Sequence, residues 1–226
     1  MNITVYGDSI LKGVLMENRR YVVNHEWERQ FAEQFGCTVT NRSRFGCTIR
    51  KALAVIRRDC AAESEPPALT VLEFGGNDCD FDWAAVSADP QGEYLAKTPA
   101  EEFVHDYREA IDLVKDSGSV PVVLTLPPIH SERFLRFICR NGLDRCSIVR
   151  WLGDVERISR WQADYSELAR DTAREAGVRC VDLRAAFPRE QAALERLLCE
   201  DGIHPSRLGQ RLIFHALAAS ACLVCP

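Results

Sequence analysis

The sequence predicts an α/β protein built on a five-stranded parallel sheet. Short, nearly continuous apolar runs rich in β-branched residues alternate with longer segments of helical periodicity along the 226 residues. Such runs are typical of strands that are covered on both faces, and the alternation favours parallel strands joined by right-handed crossovers. The predicted strands are Ile3–Tyr6, Thr38–Thr40, Thr70–Phe74, Val120–Thr125 and Val178–Asp182.

Helical patterns separate the predicted strands. They lie at about Trp27–Phe35, Arg50–Cys60, Pro99–Ser117 and Arg160–Ala176, and a last one follows Pro205. Thr98 is placed as the N-cap of the third helix, and Glu101 completes a capping box with it. In the last helix, the spacing of Leu208 and Leu212 predicts that both face the core.

Two segments interrupt this alternation. Residues 79–97 form a polar and aromatic loop after the third strand, and residues 129–159 mix helix and turn after the fourth. Both follow the carboxyl ends of strands, the edge at which parallel sheets bind ligands. We expect one domain over residues 1–226, in which the insertion 129–159 acts either as a lid or as an amphipathic cover over its own core.

Composition excludes several classes of protein. The net charge of −5 is spread along the chain, and no Lys/Arg cluster indicates a nucleic-acid surface. No apolar run approaches the length of a membrane span. The chain enters a strand at once without a signal-peptide pattern, so we expect a cytoplasmic protein whose ten cysteines are reduced. The pair Cys222 and Cys225 is interpreted as structural or incidental, because a zinc site would need a second such pair.

A serine directly after the first predicted strand is the first candidate for chemistry. Ser9 is predicted to lie between a strand and a helix, where backbone N–H groups favour negative charge. A serine hydroxyl needs a base, and His204 is the best candidate because Asp201, three residues earlier, can orient its imidazole. Taken singly, these residues could also be a helix cap, a surface histidine and a capping carboxylate.

Two further positions could stabilise an oxyanion. Acyl transfer requires donors aimed at the developing negative charge. Gly46 can expose a backbone N–H, and Asn77, after two glycines, can offer its side-chain amide. Both follow predicted strands and can reach the same sheet edge as Ser9, although each is also an ordinary turn residue.

Four motifs in order give the chain a resemblance to a known family. They are Gly7-Asp8-Ser9, Gly46, Gly75-Gly76-Asn77-Asp78 and Asp201-Gly-Ile-His204-Pro-Ser206. Their order and spacing resemble the four blocks of the SGNH hydrolases, the GDSL-like esterase/lipase family, over essentially the whole chain. Ile10 departs from the leucine of many members, which is an apolar exchange. The resemblance implies a flavodoxin-like three-layer α/β/α sandwich with five parallel strands.

The resemblance also implies roles for individual residues. Ser9 corresponds to the nucleophile and first oxyanion donor, Gly46 to the second donor and Asn77 to the third. His204 corresponds to the base that Asp201 orients. The family implies no cofactor and no metal, and its partner is a small-molecule ester substrate.

We therefore expect a serine ester hydrolase acting on short-chain or carbohydrate-linked acyl esters. A lysophospholipase- or thioesterase-type hydrolase of lipid acyl groups is one alternative. A non-catalytic flavodoxin-like protein that binds an anion is another, although the single glycine before Ser9 is unlike a glycine-rich phosphate cradle.

The segment after the third strand is predicted to shape the substrate pocket. The predicted pocket residues are Asp78, Phe81, Trp83 and His130. Alternating carboxylates at Asp78, Asp80 and Asp82 resemble the start of a calcium loop, but Trp83 stands where the sharp turn needs glycine. We therefore favour a polar loop beside the site over a metal site.

Overall fold

The chain forms a five-stranded sheet, a small hairpin and ten helices within the part described. The computed structural model describes residues 1–62 and 65–221, apart from the side chains at positions 191 and 221. The strands are β1 (Asn2–Gly7), β2 (Val14–Glu17), β3 (Arg20–Val23), β4 (Thr38–Asn41), β5 (Leu69–Glu73), β6 (Val120–Leu124) and β7 (Arg179–Val181). The helices are α1 (Glu26–Phe35), α2 (Ile49–Ala62), α3 (Trp83–Ala88), α4 (Ala100–Asp116), α5 (Ser131–Cys139), α6 (Arg145–Leu152), α7 (Arg157–Glu175), α8 (Leu183–Ala186), α9 (Gln191–Leu197) and α10 (Arg207–Ala221).

The main sheet has the order β4-β1-β5-β6-β7, and all its strand pairs are parallel. This confirms the predicted five-stranded parallel sheet. The chain first adds β4 on one side of β1 and then builds outward from β5 on the other side. The order therefore reverses between β1 and β5, and ligands bind at such a crevice, outside the carboxyl ends of the strands.

Apolar clusters cover both faces of the sheet. One cluster joins the sheet to α2, α4 and α7 and includes Phe74, Tyr107 and Tyr165. The other joins it to α1 and α10 and includes Leu124 and Phe214. Parallel strands need cover on both faces, because their side chains alternate between them. The result is the expected three-layer α/β/α sandwich.

Two helix predictions were wrong in detail. Pro99, and not Thr98, is the N-cap of α4, and its side chain makes no capping hydrogen bond. The hydroxyl of Thr98 bonds to the Asp78 carboxylate instead. In α10, Leu208 is exposed and Leu212 is partly buried against the core, and the buried side chains are Gln210, Ile213, Phe214 and Ala218. The helix packs on the sheet one position away from the register that its leucines indicated.

The antiparallel hairpin β2–β3 was not predicted. It replaces the helix expected after Ser9, since residues 8–13 make turns that lead into β2. Asn18 and Arg19 form its two-residue loop with φ of 50° and 61°, as a type I′ turn requires. Three of the four β3 residues are exposed apolar or aromatic side chains, Tyr21, Val22 and Val23. The hairpin therefore adds a short arm beside the first strand.

The two long segments contain helices and share an apolar cluster. Residues 79–97 contain α3, and residues 129–159 contain α5, α6 and the start of α7. Val86 of α3 packs with Leu135, Ile148 and Ile158 of the insertion. The amphipathic-cover interpretation fits this packing, and movement as a lid stays a prediction.

Two other features of the chain bear on the sequence-based expectations. The eight cysteines of the described residues are thiols, whereas Cys222 and Cys225 lie outside the described residues. Across residues 1–62 and 65–221, no helix has the length and apolarity needed to cross a bilayer.

Candidate active site

Ser9 lies at the carboxyl end of β1, at the switch point of the sheet. The turn that holds it is closed by hydrogen bonds from the backbone N–H of Val14 to the Ser9 carbonyl (2.9 Å) and of Ile10 to Asp8 Oδ1 (2.8 Å). Ser9 itself is buried. The predicted helix N-terminus is absent here in the described residues, because this turn feeds β2, so any favourable field comes from the turn's own N–H groups.

The structure brings Ser9, His204 and Asp201 together across 195 residues of sequence. His204 Nε2 lies 2.9 Å from Ser9 Oγ, and His204 Nδ1 lies 2.6 Å from Asp201 Oδ2. An ionised carboxylate only accepts hydrogen bonds, so Nδ1 carries the proton and Nε2 is left to accept from the serine hydroxyl. A serine hydroxyl bonded to an imidazole that a carboxylate orients is the arrangement that nucleophilic catalysis by serine requires.

Local backbone bonds keep Asp201 ionised and in place. Its Oδ1 accepts from the N–H groups of Ile203 (3.0 Å) and His204 (3.1 Å). Burial pushes the pKa of Asp201 upward, but the hydrogen bonds and the charge of His204 outweigh it and hold that pKa below its ordinary value. Gly202, between them, has φ of 73°, and a Cβ there would lie 2.7 Å from the His130 carbonyl oxygen. The tight Asp-Gly-Ile-His loop therefore depends on glycine.

Gly46 and Asn77 line the same cavity as Ser9. Gly46 follows β4 with φ of 68°, in a conformation that favours glycine. Asn77 follows β5, and its Nδ2 donates to Asp8 Oδ2 at 2.9 Å. Since an amide nitrogen has two N–H groups, one can be anchored by Asp8 while the other serves a ligand. The three expected oxyanion donors, Ser9, Gly46 and Asn77, thus line one cavity.

Three buried carboxyl groups lie next to these donors, and one of them, Asp8, accepts a hydrogen bond from Asn77. Asp8, Glu73 and Asp78 are all buried. Burial, followed by the charge of Asp8, raises the pKa of Glu73 well above its ordinary value. Burial also raises the pKa of Asp78 to about 7, although the Thr98 hydroxyl and the Ile49 N–H oppose the shift. The backbone N–H of Asp8 donates to Glu73 Oε2 at 3.4 Å, and the Asp8 side chain in turn holds Asn77.

Two aromatic rings that the sequence analysis missed cover His204. Tyr21 of β3 meets the imidazole edge-on with centroids 5.1 Å apart, and Phe45 stacks on it at 5.8 Å and 18°. Burial and the neighbouring Asp201 carboxylate raise the pKa of the Tyr21 hydroxyl. Tyr21 could have been found from the sequence only by predicting the hairpin β2–β3. That hairpin has no glycine in its turn to indicate it.

A cavity of about 380 Å³ opens beside Ser9. It includes the predicted pocket residues Phe81 and Trp83, and the insertion and α7 add Phe134, Trp151 and Trp161. A cavity of this size that combines apolar walls with a few convergent polar groups is typical of a small-molecule site.

Two predicted pocket residues lie elsewhere. Asp78 is fully buried below the site and accepts from the Ile49 N–H at 3.0 Å. His130 caps the start of α5, and its Nε2 lies 3.3 Å from Glu195 Oε1. Neither is among the described residues that line the cavity. Both positions follow strand ends, but a strand end fixes where the backbone lies and leaves the direction of the side chain open.

The alternating carboxylates have other partners than a metal. Asp80 pairs with Lys97 at 2.7 Å and accepts from Trp83 Nε1, also at 2.7 Å. Asp82 caps α3 by accepting from Ala84 and Ala85. Within the described ranges, no three His, Cys, Asp or Glu side chains are grouped as metal ligands.

Comparison with known proteins gives the family. The family model described as GDSL-like lipase/acylhydrolase matches residues 5–212. No curated protein matches the chain. Similar solved structures include a lipase/acylhydrolase from Enterococcus faecalis, with TM-score 0.65 and 19% identity, covering 97% of this chain and 94% of that one. A GDSL-like lipase from Bacteroides thetaiotaomicron has TM-score 0.63 and 16% identity, with coverage of 99% and 89%.

A third similar structure is a catalytic mutant of an acetylxylan esterase from Geobacillus stearothermophilus, with TM-score 0.64 and 17% identity, covering 96% of this chain and 92% of that one. At these identities the likenesses show the shared fold. The family match, in contrast, extends over most of the chain and includes all four motifs that gave the resemblance. The chain belongs to the GDSL-like lipase/acylhydrolase family, the SGNH hydrolases.

Proposed function

We propose that the chain hydrolyses carboxylic esters through an acyl-enzyme on Ser9. The observation that carries the proposal is the continuous contact from Ser9 Oγ to His204 Nε2 (2.9 Å) and from Nδ1 to Asp201 (2.6 Å). A buried serine with only a structural role would not need a base that is itself oriented by a buried carboxylate. The family's esterase and lipase members support the same chemistry.

The proposed reaction has two steps. Ser9 Oγ attacks the ester carbonyl carbon while His204 Nε2 takes its proton, and the backbone N–H groups of Ser9 and Gly46 and the Asn77 amide stabilise the oxyanion. Collapse breaks the bond to the alcohol oxygen, which His204 protonates. Water then attacks the acyl-Ser9 ester with His204 again as the base, and this releases the carboxylic acid and restores Ser9.

The anion-binding alternative has less support. It would use the turn at Ser9 as a static cradle, yet the Ser9 hydroxyl faces His204 rather than standing open to an anion. The short-chain, carbohydrate-linked and lipid-acyl substrates of the sequence-based expectation all fit the two-step mechanism, since the cavity and not the triad selects among them.

The test is hydrolysis of p-nitrophenyl esters from acetate to decanoate with EDTA present, for wild type and Ser9→Ala. Ser220→Ala is the matched control, because Ser220 lies on α10, away from the cavity, and its hydroxyl donates to the Ala216 carbonyl. We expect turnover in wild type and Ser220→Ala, and its loss in Ser9→Ala. Equal turnover in Ser9→Ala would refute the proposal, and loss of activity in EDTA would point to a metal mechanism instead.

A further inference from the structure

We propose that the deep part of the cavity binds an apolar acyl group longer than acetate, while the leaving alcohol occupies the exposed side beside Tyr21 and Phe45. The inference rests on the proposed ester hydrolysis and names the class of ester. By the deep part we mean the six rings among the lining residues that we call the aromatic box: Phe81, Trp83, Tyr94, Phe134, Trp151 and Trp161.

The aromatic box is preformed by contacts among its own rings. Phe81 is buried at its centre, with ring centroids 5.7 Å from Trp83, 5.0 Å from Trp151 and 5.3 Å from Trp161. Trp151 also meets Tyr94 at 5.7 Å. Tilted and edge-to-face contacts of this kind stabilise aromatic clusters. A ligand therefore enters a rigid wall of rings and does not have to order it.

The polar atoms of these rings already have partners inside the protein. The indole N–H groups donate to Asp80 Oδ1 from Trp83, to the Gly92 carbonyl from Trp151 and to the Cys79 carbonyl from Trp161, at 2.7–3.2 Å. The Tyr94 hydroxyl lies 2.9 Å from the Ala85 carbonyl oxygen and 2.8 Å from that of Asp89, and these two acceptors share its one proton. The box thus offers a ligand ring faces and edges rather than these hydrogen-bonding groups. Sugar hydroxyls would lose water there without recovering their bonds.

The charged and amide groups at the border of the aromatic box are paired as well. Lys97 is bonded to Asp80, and Gln162 donates to the Pro127 carbonyl at 2.9 Å. The guanidinium of Arg157 lies 5.8 Å over the Trp151 ring and donates to the Leu152 carbonyl. Since the Arg157 guanidinium already occupies a position over the Trp151 ring, a cationic ligand there is disfavoured by repulsion.

The triad fixes which end of an ester enters the aromatic box. His204 must protonate the leaving alcohol, so the alcohol lies on the His204 side of the carbonyl. That side is the exposed rim of Phe45 and Tyr21, which are 53% and 40% exposed. Phe81, four residues after Asn77, lines the same cavity and is only 7% exposed. The acyl chain is therefore the part of the ester that becomes buried on binding.

Two isomeric esters test this orientation directly. Ethyl octanoate and octyl acetate have the same atoms and differ only in whether the long chain is acyl or alcohol. We expect kcat/KM for ethyl octanoate to exceed that for octyl acetate by at least tenfold. We also expect p-nitrophenyl esters to gain about fourfold per added methylene until the box is filled. A preference for octyl acetate, for p-nitrophenyl acetate or for an acetylated xyloside would overturn the inference.

A variant locates the selectivity in the aromatic box. Trp151→Ala should reduce kcat/KM for p-nitrophenyl octanoate at least tenfold, with the acetate changed less than about threefold. Arg150→Ala is the control, because Arg150 is the exposed neighbour on α6 and should leave both esters unchanged. An unchanged octanoate-to-acetate ratio in Trp151→Ala would overturn the inference.

The two proposals fail in different ways. Absence of Ser9-dependent turnover with every ester would refute the hydrolase itself. Ser9-dependent turnover that is highest with acetate would refute only the acyl pocket. The isomeric esters need no variant, so the inference remains testable if Trp151→Ala does not fold.

Discussion

Asn77 combines an anchored and an available N–H group. Its amide donates to Asp8, which is itself held by the Ile10 N–H and by a bond from its own backbone N–H to the Glu73 carboxyl group. A donor that is fixed before the reaction costs little to reorganise when the oxyanion forms. Glu73 and Asp8 thus fix the orientation of the Asn77 amide, the third oxyanion donor of the proposed mechanism.

Asn77→Ala should lower kcat by about 10²–10³, because one oxyanion donor is lost, and Ser9→Ala should be worse. The measurement is kcat for p-nitrophenyl ester hydrolysis at saturating substrate. Asn141→Ala, at an exposed turn position, is the matched control and should match wild type. Wild-type kcat in Asn77→Ala would remove Asn77 from the oxyanion site.

Single residues were predictable where a short motif constrains them. Asp201 and His204 lie three residues apart in a loop, so their contact could be expected from spacing alone. The contact of Ser9 with His204 depends on the parallel sheet, which the apolar runs indicated. The directions of Asp78 and His130 were not predictable, because each depends on partners, Ile49 and Glu195, that are distant in sequence.

Among the secondary-structure elements, the hairpin β2–β3 covers the His204 imidazole. Its Tyr21 ring packs on the His204 imidazole together with Phe45. The two rings limit the motion of the imidazole and the access of water to its face. The hairpin therefore contributes to the orientation of His204.

Tyr21→Ala should reduce kcat/KM for p-nitrophenyl acetate by about 2–10-fold, the equivalent of one lost aromatic contact. Tyr21→Phe keeps the ring and should stay within about twofold of wild type. Val22→Ala, next to it on β3 and also exposed, controls for disturbance of the hairpin. If the Phe and Ala variants lose activity equally, the hydroxyl beside Asp201 matters and the ring does not.

The strands of the main sheet were predictable to within about one residue, because strands covered on both faces read as continuous apolar runs. The hairpin was not, since its strands are short and its turn uses Asn18 and Arg19 at positive φ in place of glycine. The error in α10 has a similar cause. Its apolar residues allow two neighbouring faces, and only packing on the sheet selects the one with Ile213 and Phe214.

For the whole molecule, the buried acids below the site couple stability to pH. Asp78 has a pKa of about 7 in the folded state against an ordinary 3.8. Between these values the folded state binds a proton that the unfolded chain has released. The stabilisation is complete below about pH 4 and is lost as the pH rises through 7.

The free energy of unfolding should therefore fall by up to roughly 4 kcal/mol from this group between pH 4 and pH 8. Asp78→Asn removes the titration, so its curve of unfolding free energy against pH should be flatter than that of wild type. Urea unfolding at several pH values measures this difference. Asp116→Asn, on the exposed end of α4, should run parallel to wild type. Parallel curves for Asp78→Asn would contradict the buried-acid account.

The substrate cavity is a property of the whole molecule that the sequence indicated only in part. Phe81 and Trp83 were expected at the pocket from their position after β5. The contacts of these rings with Trp151 and Trp161 depend on packing of the 129–159 insertion and α7 against the 79–97 segment. No local sequence pattern specifies such a contact.

The proposed function requires Ser9 to be a nucleophile that His204 and Asp201 activate. The most direct measurement is labelling with a fluorophosphonate, read by intact mass and peptide mapping, for wild type, Ser9→Ala, His204→Ala and the Ser220→Ala control. We predict one adduct, on Ser9, in wild type and Ser220→Ala, strongly slowed labelling in His204→Ala and none in Ser9→Ala. Labelling at another residue, or none in folded wild type, would contradict the account.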